Sequence, residues 1–398
     1  MSDRNAQPAA MVASARSFPS SHQANDPRDG IRRLCGNFGN LSSLLLLLTA
    51  AAPPPRTVPL GADLQRFAYP YPVRSFPTRS GGRPVRIAFM DVRPTGRSVG
   101  RVAVLLHGKN FCAATWGDTA RLLSGHGWRV VVPDLPGFCK SSKPAGLRYT
   151  VAGEGAAVRA LLASLRVRRP VLIGHSTGGL VAMRWALDRP DTLAALVLVN
   201  PLGLNDTIAQ GVPFAGLTRL RADEAKTDAA SIMGYQVRNY YHGTWRPAYD
   251  RWVAMLAGQY AGPGGARVRE AQARLSLMIE QGPVASELDR LVVPTTLLIG
   301  QADRTAFRAS SAPPAVRARI AAVPAAAEAA APRMHARLVR LAGLGHAPQV
   351  EDPARFGAAL LAALDQAASA AAGNAYSTSA LAVAAARRPS ASGTSWSR

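Results

Sequence analysis

The chain has 398 residues, 48% of them hydrophobic, with 35 Gly and 30 Pro and a formal charge of +23. At about 150 residues per domain this allows two or three folded units at most, and the Gly and Pro content excludes collagen, coiled coil and wholesale disorder. The charge does not point to nucleic acid: it is spread along the chain, Lys109, Lys140, Lys143 and Lys226 are the only lysines, and no finger, recognition-helix or RNP-like pattern accompanies the arginines.

At the N-terminus, Arg32 and Arg33 precede an apolar stretch over Leu41–Leu48 that ends in the small residues Ala50, Ala51 and Ala52. Basic, apolar, then small is the secretory signal order, and the apolar part is too short for the ~20 residues of a spanning helix. Residues 1–60 are therefore expected to be a leader with a signal peptide. The protein is expected to be exported, to the periplasm or beyond, with no stable membrane span; a disordered leader on a cytoplasmic protein is the alternative. Cys35, Cys112 and Cys139 permit one bridge at most and show no CxxC spacing, so neither a disulfide framework nor a metal site is expected.

From residue 61, short apolar runs alternate with helical stretches. The runs are Val85–Val92, Val102–Leu106, Trp128–Val132, Pro170–Ile173, Leu193–Val199, Thr295–Ile299 and Arg337–Leu341; the helical stretches include Thr150–Leu165 and Gly179–Asp188. Unbroken β-branched runs between helices predict an α/β chain with a mostly parallel sheet covered on both faces. The alternation stops between Asn200 and Arg290, a stretch rich in Tyr, Trp and Met. Residues 201–290 are read as a helical cap inserted after the sixth strand, dividing the core into 61–200 and 291–368. Residues 369–398 read as a flexible Ala/Ser-rich tail.

Ligands sit at the carboxyl ends of parallel strands, so the residues following each run were weighed for chemistry. After Val171-Leu172-Ile173 comes Gly174-His175-Ser176-Thr177-Gly178, a G-x-S-x-G between strand and helix. Such a turn holds its serine in a strained conformation and lifts the hydroxyl above the sheet. Serine needs a base, itself oriented by an acid. His346, in Gly343–Pro348, and Asp303, in Gly300–Arg304, both follow late strands and are the expected base and acid. The other expected location for the acid, after the sixth strand, holds uncharged Asn200. Asp134 is read as stabilising its own turn and His107 as bonding loop carbonyls. His242 lies in the cap without an adjacent acid, and the side chain of His175 is expected to point away from the serine. The two oxyanion donors are expected to be the amides of Thr177 and Lys109, with Asn110 in reserve.

On these residues the chain resembles the α/β-hydrolase superfamily over roughly 65–368. It looks most like capped bacterial serine hydrolases with His107-Gly108-Lys109-Asn110-Phe111 after the third strand, a Pro133–Gly137 turn, and the cap segment Tyr240–Trp245. The resemblance implies the α/β-hydrolase fold and a Ser176, Asp303, His346 triad that uses no cofactor. Cys139 stands where relatives usually have glycine, and the forty-two residues between Asp303 and His346 leave a long excursion to be accommodated. The expected activity is hydrolysis of a carboxylic ester or related acyl bond of a small, largely apolar molecule through an acyl-serine. Asn110, Phe111, Tyr241 and Trp245 are the expected substrate contacts. Carbon–carbon bond hydrolysis, lactone opening and acyl transfer share the triad, and an inactive fold that binds anionic envelope polymers is the non-enzymatic rival. The sequence does not fix the oligomeric state.

Overall fold

The computed structural model describes residues 52–366. The expected signal peptide and the tail lie outside them. The strands are β1 (Val73–Ser80), β2 (Arg83–Val92), β3 (Val102–Leu106), β4 (Arg129–Pro133), β5 (Val171–His175), β6 (Ala195–Val199), β7 (Thr295–Gly300) and β8 (Arg337–Leu341), the last seven at the apolar runs. The eight-stranded sheet runs β1-β2-β4-β3-β5-β6-β7-β8; β2 is antiparallel to both of its neighbours, and all pairs from β4 to β8 are parallel.

The sheet is buried on both faces, so alternate residues of one strand feed different cores. Val104 and Leu106 of β3, Leu172 of β5 and Leu196 and Leu198 of β6 enter one cluster; Ala103, Leu105, Ile173, Val197 and Val199 enter the other. The first is covered by α2 (Val151–Ser164), α3 (Thr177–Asp188) and α9 (Val323–Arg333), through residues such as Leu161, Trp185 and Ala327. The second is covered by α1 (Gly117–Gly125) and the closing helix over 353–366, through Leu123, Phe356 and Leu360.

Strand β1 is absent from the sequence reading. It is an edge strand with five of eight residues exposed, so it carries little apolar alternation. Its local signal is the Gly81-Gly82 pair, both at positive φ, which closes a two-residue hairpin with Ser80 opposite Arg83. Folded chain also begins slightly earlier than residue 61: the Leu60 amide donates to the Gly258 carbonyl at 2.8 Å.

Between β6 and β7 lie α4 (Gly216–Ala225), α5 (Ala229–Asn239), α6 (Asp250–Tyr260) and α7 (Gly265–Gln281), the expected helical insertion. A second excursion joins β7 to α9. It holds a 3-10 turn (Ala309–Ser311) and the short α8 (Pro314–Arg317) and lines a cavity, which answers how the long span after Asp303 is accommodated. The one-turn α10 (Pro348–Glu351) follows β8.

Glu154 on α2 is fully buried, and neither carboxyl oxygen has a hydrogen-bond partner among the described residues. Burial drives its pKa well above the ordinary glutamate value, so the folded protein holds this proton more tightly than the unfolded chain does. Stability from this group is complete at low pH and falls as pH rises above the ordinary glutamate range. Glu154→Met should therefore raise the thermal midpoint by several degrees at pH 8, for an unsatisfied carboxyl costing about 1–3 kcal/mol, and by much less at pH 4.5. Calorimetric scans of both proteins at the two pH values check this.

Candidate active site

Ser176 stands between β5 and α3 at φ 53°, ψ −119°, a strained conformation for a residue with a Cβ. The bend forms because its neighbours allow backbone to approach: a Cβ on Gly178 would lie 2.4 Å from the Leu106 carbonyl oxygen. The helix then starts directly beneath the serine, with the Gly179 and Leu180 amides both donating to the Ser176 carbonyl.

Asp303 and His346, far apart in sequence, meet after β7 and β8. Asp303 Oδ2 accepts from His346 Nδ1 at 2.7 Å, with both side chains fully buried. The same oxygen accepts from Asn200 Nδ2 at 2.7 Å, and Oδ1 accepts from the Thr305 amide at 2.7 Å. Three donors offset the desolvation of this carboxylate. Asn200, at φ 41°, also accepts from the Gly300 amide at 3.0 Å. The position after β6 thus supplies a donor that holds the acid. The sequence reading examined Asn200 only as a missing carboxylate.

His346 is fixed from three sides. Its amide donates to the Tyr240 carbonyl at 2.9 Å, its ring stacks on Tyr240 with centroids 4.3 Å apart, and its carbonyl accepts from His175 Nε2 at 2.8 Å. The preceding Gly345 has no room for a side chain, since a Cβ there would fall 1.8 Å from the Tyr240 carbonyl oxygen. His346 Nε2 is buried and has no hydrogen-bond partner among the described residues, so it makes none with Ser176 in this conformation. Burial and the neighbouring His346 push the pKa of His175 well below the usual histidine value. A neutral His175 therefore acts as a donor, and its Nε2 is spent on the His346 backbone rather than on Ser176.

The loop after β3 faces Ser176: a Cβ on Gly108 would lie 2.8 Å from the serine's Cβ. His107 Nδ1 donates to the Gly108 carbonyl and Nε2 accepts from the Leu135 amide, the structural role expected. Among the described residues neither the Lys109 nor the Thr177 amide takes part in a turn or loop hydrogen bond. Both residues line a cavity of about 750 Å³ together with Ser176 and Asn110.

Side chains of this loop reach into the insertion: Lys109 Nζ pairs with Glu224 Oε1 at 2.7 Å, and Asn110 Nδ2 donates to the Tyr240 hydroxyl at 2.9 Å. Below the loop, Asp134 accepts from the Ala113 and Lys140 amides and the Tyr69 hydroxyl, stabilising its turn as expected and tying it to the loop. Cys139, at φ 46°, reaches the Phe111 carbonyl at 3.3 Å. The sulfurs of Cys112 and Cys139 and an Asp134 oxygen lie within 4.8 Å of one another, but both oxygens of Asp134 are already engaged by donors.

Three expected substrate contacts do not line this cavity. Phe111 is 1% exposed, held between His175 and Tyr240. Tyr241 stacks on Tyr249 with centroids 3.9 Å apart, and Trp245 packs edge-on against both while donating to Asp250. Tyr241 faces instead a smaller cavity of about 120 Å³ with His242 and Glu351. His242 does have an acid there: its Nε2 lies 3.6 Å from Glu351, which accepts from the Gly345 amide through both oxygens and which burial raises to about 7. Asn110, Tyr235, Tyr240, Tyr260, Leu256 and Phe307 are among the residues that line the larger cavity. The sequence reading treated 201–290 as the sole cover and missed the wall over residues 304–322. The long span between Asp303 and His346 is the sequence signal for it.

Residues 103–359, well over half of the chain, match the alpha/beta hydrolase family, and the chain belongs to that family. A probable hydrolytic enzyme of known structure from Pseudomonas aeruginosa is 44% identical, over 77% of this chain and 98% of that one, with a TM-score of 0.75. A thermophilic esterase from Thermogutta terrifontis is 22% identical over 74% of this chain and 99% of that one, with a TM-score of 0.57, and shares the fold. The 2-hydroxy-6-oxo-6-phenylhexa-2,4-dienoate hydrolase of Burkholderia cepacia is 29% identical over 124 residues, 30% of this chain. The chain matches 43% of the length of that curated relative.

If Asn200 holds the acid, Asn200→Ala should slow the reaction of Ser176 with a fluorophosphonate about tenfold, the equivalent of one charge-assisted hydrogen bond, while leaving the far-UV circular dichroism unchanged. Labelling time courses at equal probe concentration measure the ratio.

Proposed function

We propose that the protein is a serine hydrolase that cleaves a carboxylic ester or related acyl bond of a small molecule through an acyl-serine. Ser176 attacks the carbonyl as its proton passes to His346 Nε2, and the oxyanion rests on the amides of Lys109 and Thr177. His346 then protonates the leaving alcohol. In the second half it takes a proton from water, which attacks the acyl group and frees Ser176. Asp303 keeps the proton on Nδ1 and so presents Nε2 as the acceptor.

The observation that carries this reading is the 2.7 Å contact of Asp303 with His346 Nδ1, which leaves Nε2 unpartnered among the described residues. Ser176, at the strained turn, opens on a cavity of substrate size. A nucleophile–base bond that is absent without substrate commonly forms when substrate binds. Likeness to a named dienoate hydrolase keeps a second reading, carbon–carbon bond hydrolysis of a vinylogous diketone with the same triad, and a panel that includes such a compound alongside esters and lactones separates the two. The expected export from the leader is part of the proposal; cell fractionation that finds the full-length chain only in the cytoplasm would overturn that part.

Fluorophosphonate should label the intact protein and not Ser176→Ala. Asp303→Asn should lower kcat on the order of a thousandfold or more, because the wrong histidine tautomer is favoured. Equal labelling of wild type and Ser176→Ala, or an Asp303→Asn protein with full activity, refutes the assignment. Absent labelling together with tight, salt-sensitive binding to anionic polymers would favour an inactive binding fold.

A further inference from the structure

The cavity over Ser176 carries five basic side chains, Lys109, Arg238, Arg304, Arg308 and Arg317, against two acidic ones, Asp223 and Glu224. The acids are already committed. Lys109 pairs with Glu224, and Arg308 pairs with Asp223 at 3.2 Å and with Glu280 at 3.0 Å. Arg238, Arg304 and Arg317 have no carboxylate partner among the described residues; Arg317 donates to the Ala312 carbonyl at 3.1 Å.

Arg238 and Arg304 arise from neighbouring backbone. The Arg304 amide donates to the carbonyl of Asn239, the residue after Arg238, at 3.1 Å, so two of the arginines that line the cavity come from adjoining backbone at the end of α5 and the loop after β7. The rest of the lining includes Leu202, Leu220, Ile232, Leu256, Ile279 and Phe307. A lining that combines apolar side chains with a surplus of unpaired guanidiniums suits a molecule that is apolar near its reacting carbonyl and anionic at a distance from it. Guanidinium presents paired N–H donors that match a carboxylate.

Resting on the serine-hydrolase reading, we propose that Arg238 and Arg304 form a carboxylate-recognition site, so that the substrate is an ester carrying a free carboxylate several atoms from the scissile carbonyl. The side chains are exposed, so the attraction is screened by salt. Hydrolysis releases the alcohol and a dicarboxylic acid when the anionic group is on the acyl side.

The test compares two aryl esters of equal chain length, the monoadipate and the hexanoate. The adipate ester should be preferred at least about tenfold in kcat/KM at ~0.02 M salt, as expected for a charge-assisted contact, and the preference should shrink at ~0.5 M. In the Arg238→Gln, Arg304→Gln double variant the ratio of the two should fall to near one. A wild-type preference for hexanoate, or a preference for adipate that survives both substitutions, overturns the inference while fluorophosphonate labelling keeps the hydrolase reading intact. A second arm does not depend on turnover. Adipate should bind Ser176→Ala protein in calorimetry more tightly than hexanoate, and the difference should vanish when the two arginines are also replaced. If labelling fails, the hydrolase reading falls and this arm still decides the carboxylate site; equal binding of the two acids rejects it.

Discussion

A carboxylate with no exposed atom sits at the junction of three segments of this protein, and its survival there depends on donors that the fold must bring to it. Taking an ion out of water costs several kcal/mol even after relaxation, so Asp303 is tolerable only with its hydrogen bonds made. They come from Asn200 at the end of β6, from the Thr305 amide after β7, and from His346 after β8. Removing any one leaves buried charge uncompensated. The same requirement that stabilises the acid therefore aligns three adjacent strand ends and fixes which ring nitrogen of His346 carries the proton.

Tyr240 extends this arrangement into the inserted helices. It receives the His346 amide at its carbonyl, stacks on the imidazole, and accepts from Asn110 at its hydroxyl. One residue of the insertion thus joins the loop that faces Ser176 to the loop that carries His346. Lys109 and Glu224 make a second tie. Movement of these helices would be felt at both the Lys109–Asn110 loop and the His346 loop.

Beneath the site the design is one of close backbone approach. The strained Ser176 turn is held because Gly178 lies against the Leu106 carbonyl and Gly108 against the serine itself. Asp134 and Cys139 brace the loop from below, the latter in a left-handed conformation where glycine would fit with less strain. Glu351 braces the base's loop through the Gly345 amide.

Much of this was written in local sequence. Strand-length apolar runs named seven of the eight strands, and strands buried on both faces, such as β3 and β6, are apolar throughout; the G-x-S-x-G motif pointed to Ser176, and strand ends to Asp303 and His346. Edge strand β1 escaped because its less exposed positions, Phe76, Thr78 and Ser80, include only one apolar residue. Only tertiary structure decided which aromatics meet the cavity. Tyr240 and Tyr241 are adjacent in a polar-aromatic segment of weak periodicity, and the fold turns one to the base and buries the other against Tyr249. It also decided that Asn200 serves the acid and that residues 304–322 wall the cavity. The reason is physical: composition and periodicity report burial along a single element, whereas a hydrogen bond between residues a hundred positions apart exists only once the strands that carry them lie side by side.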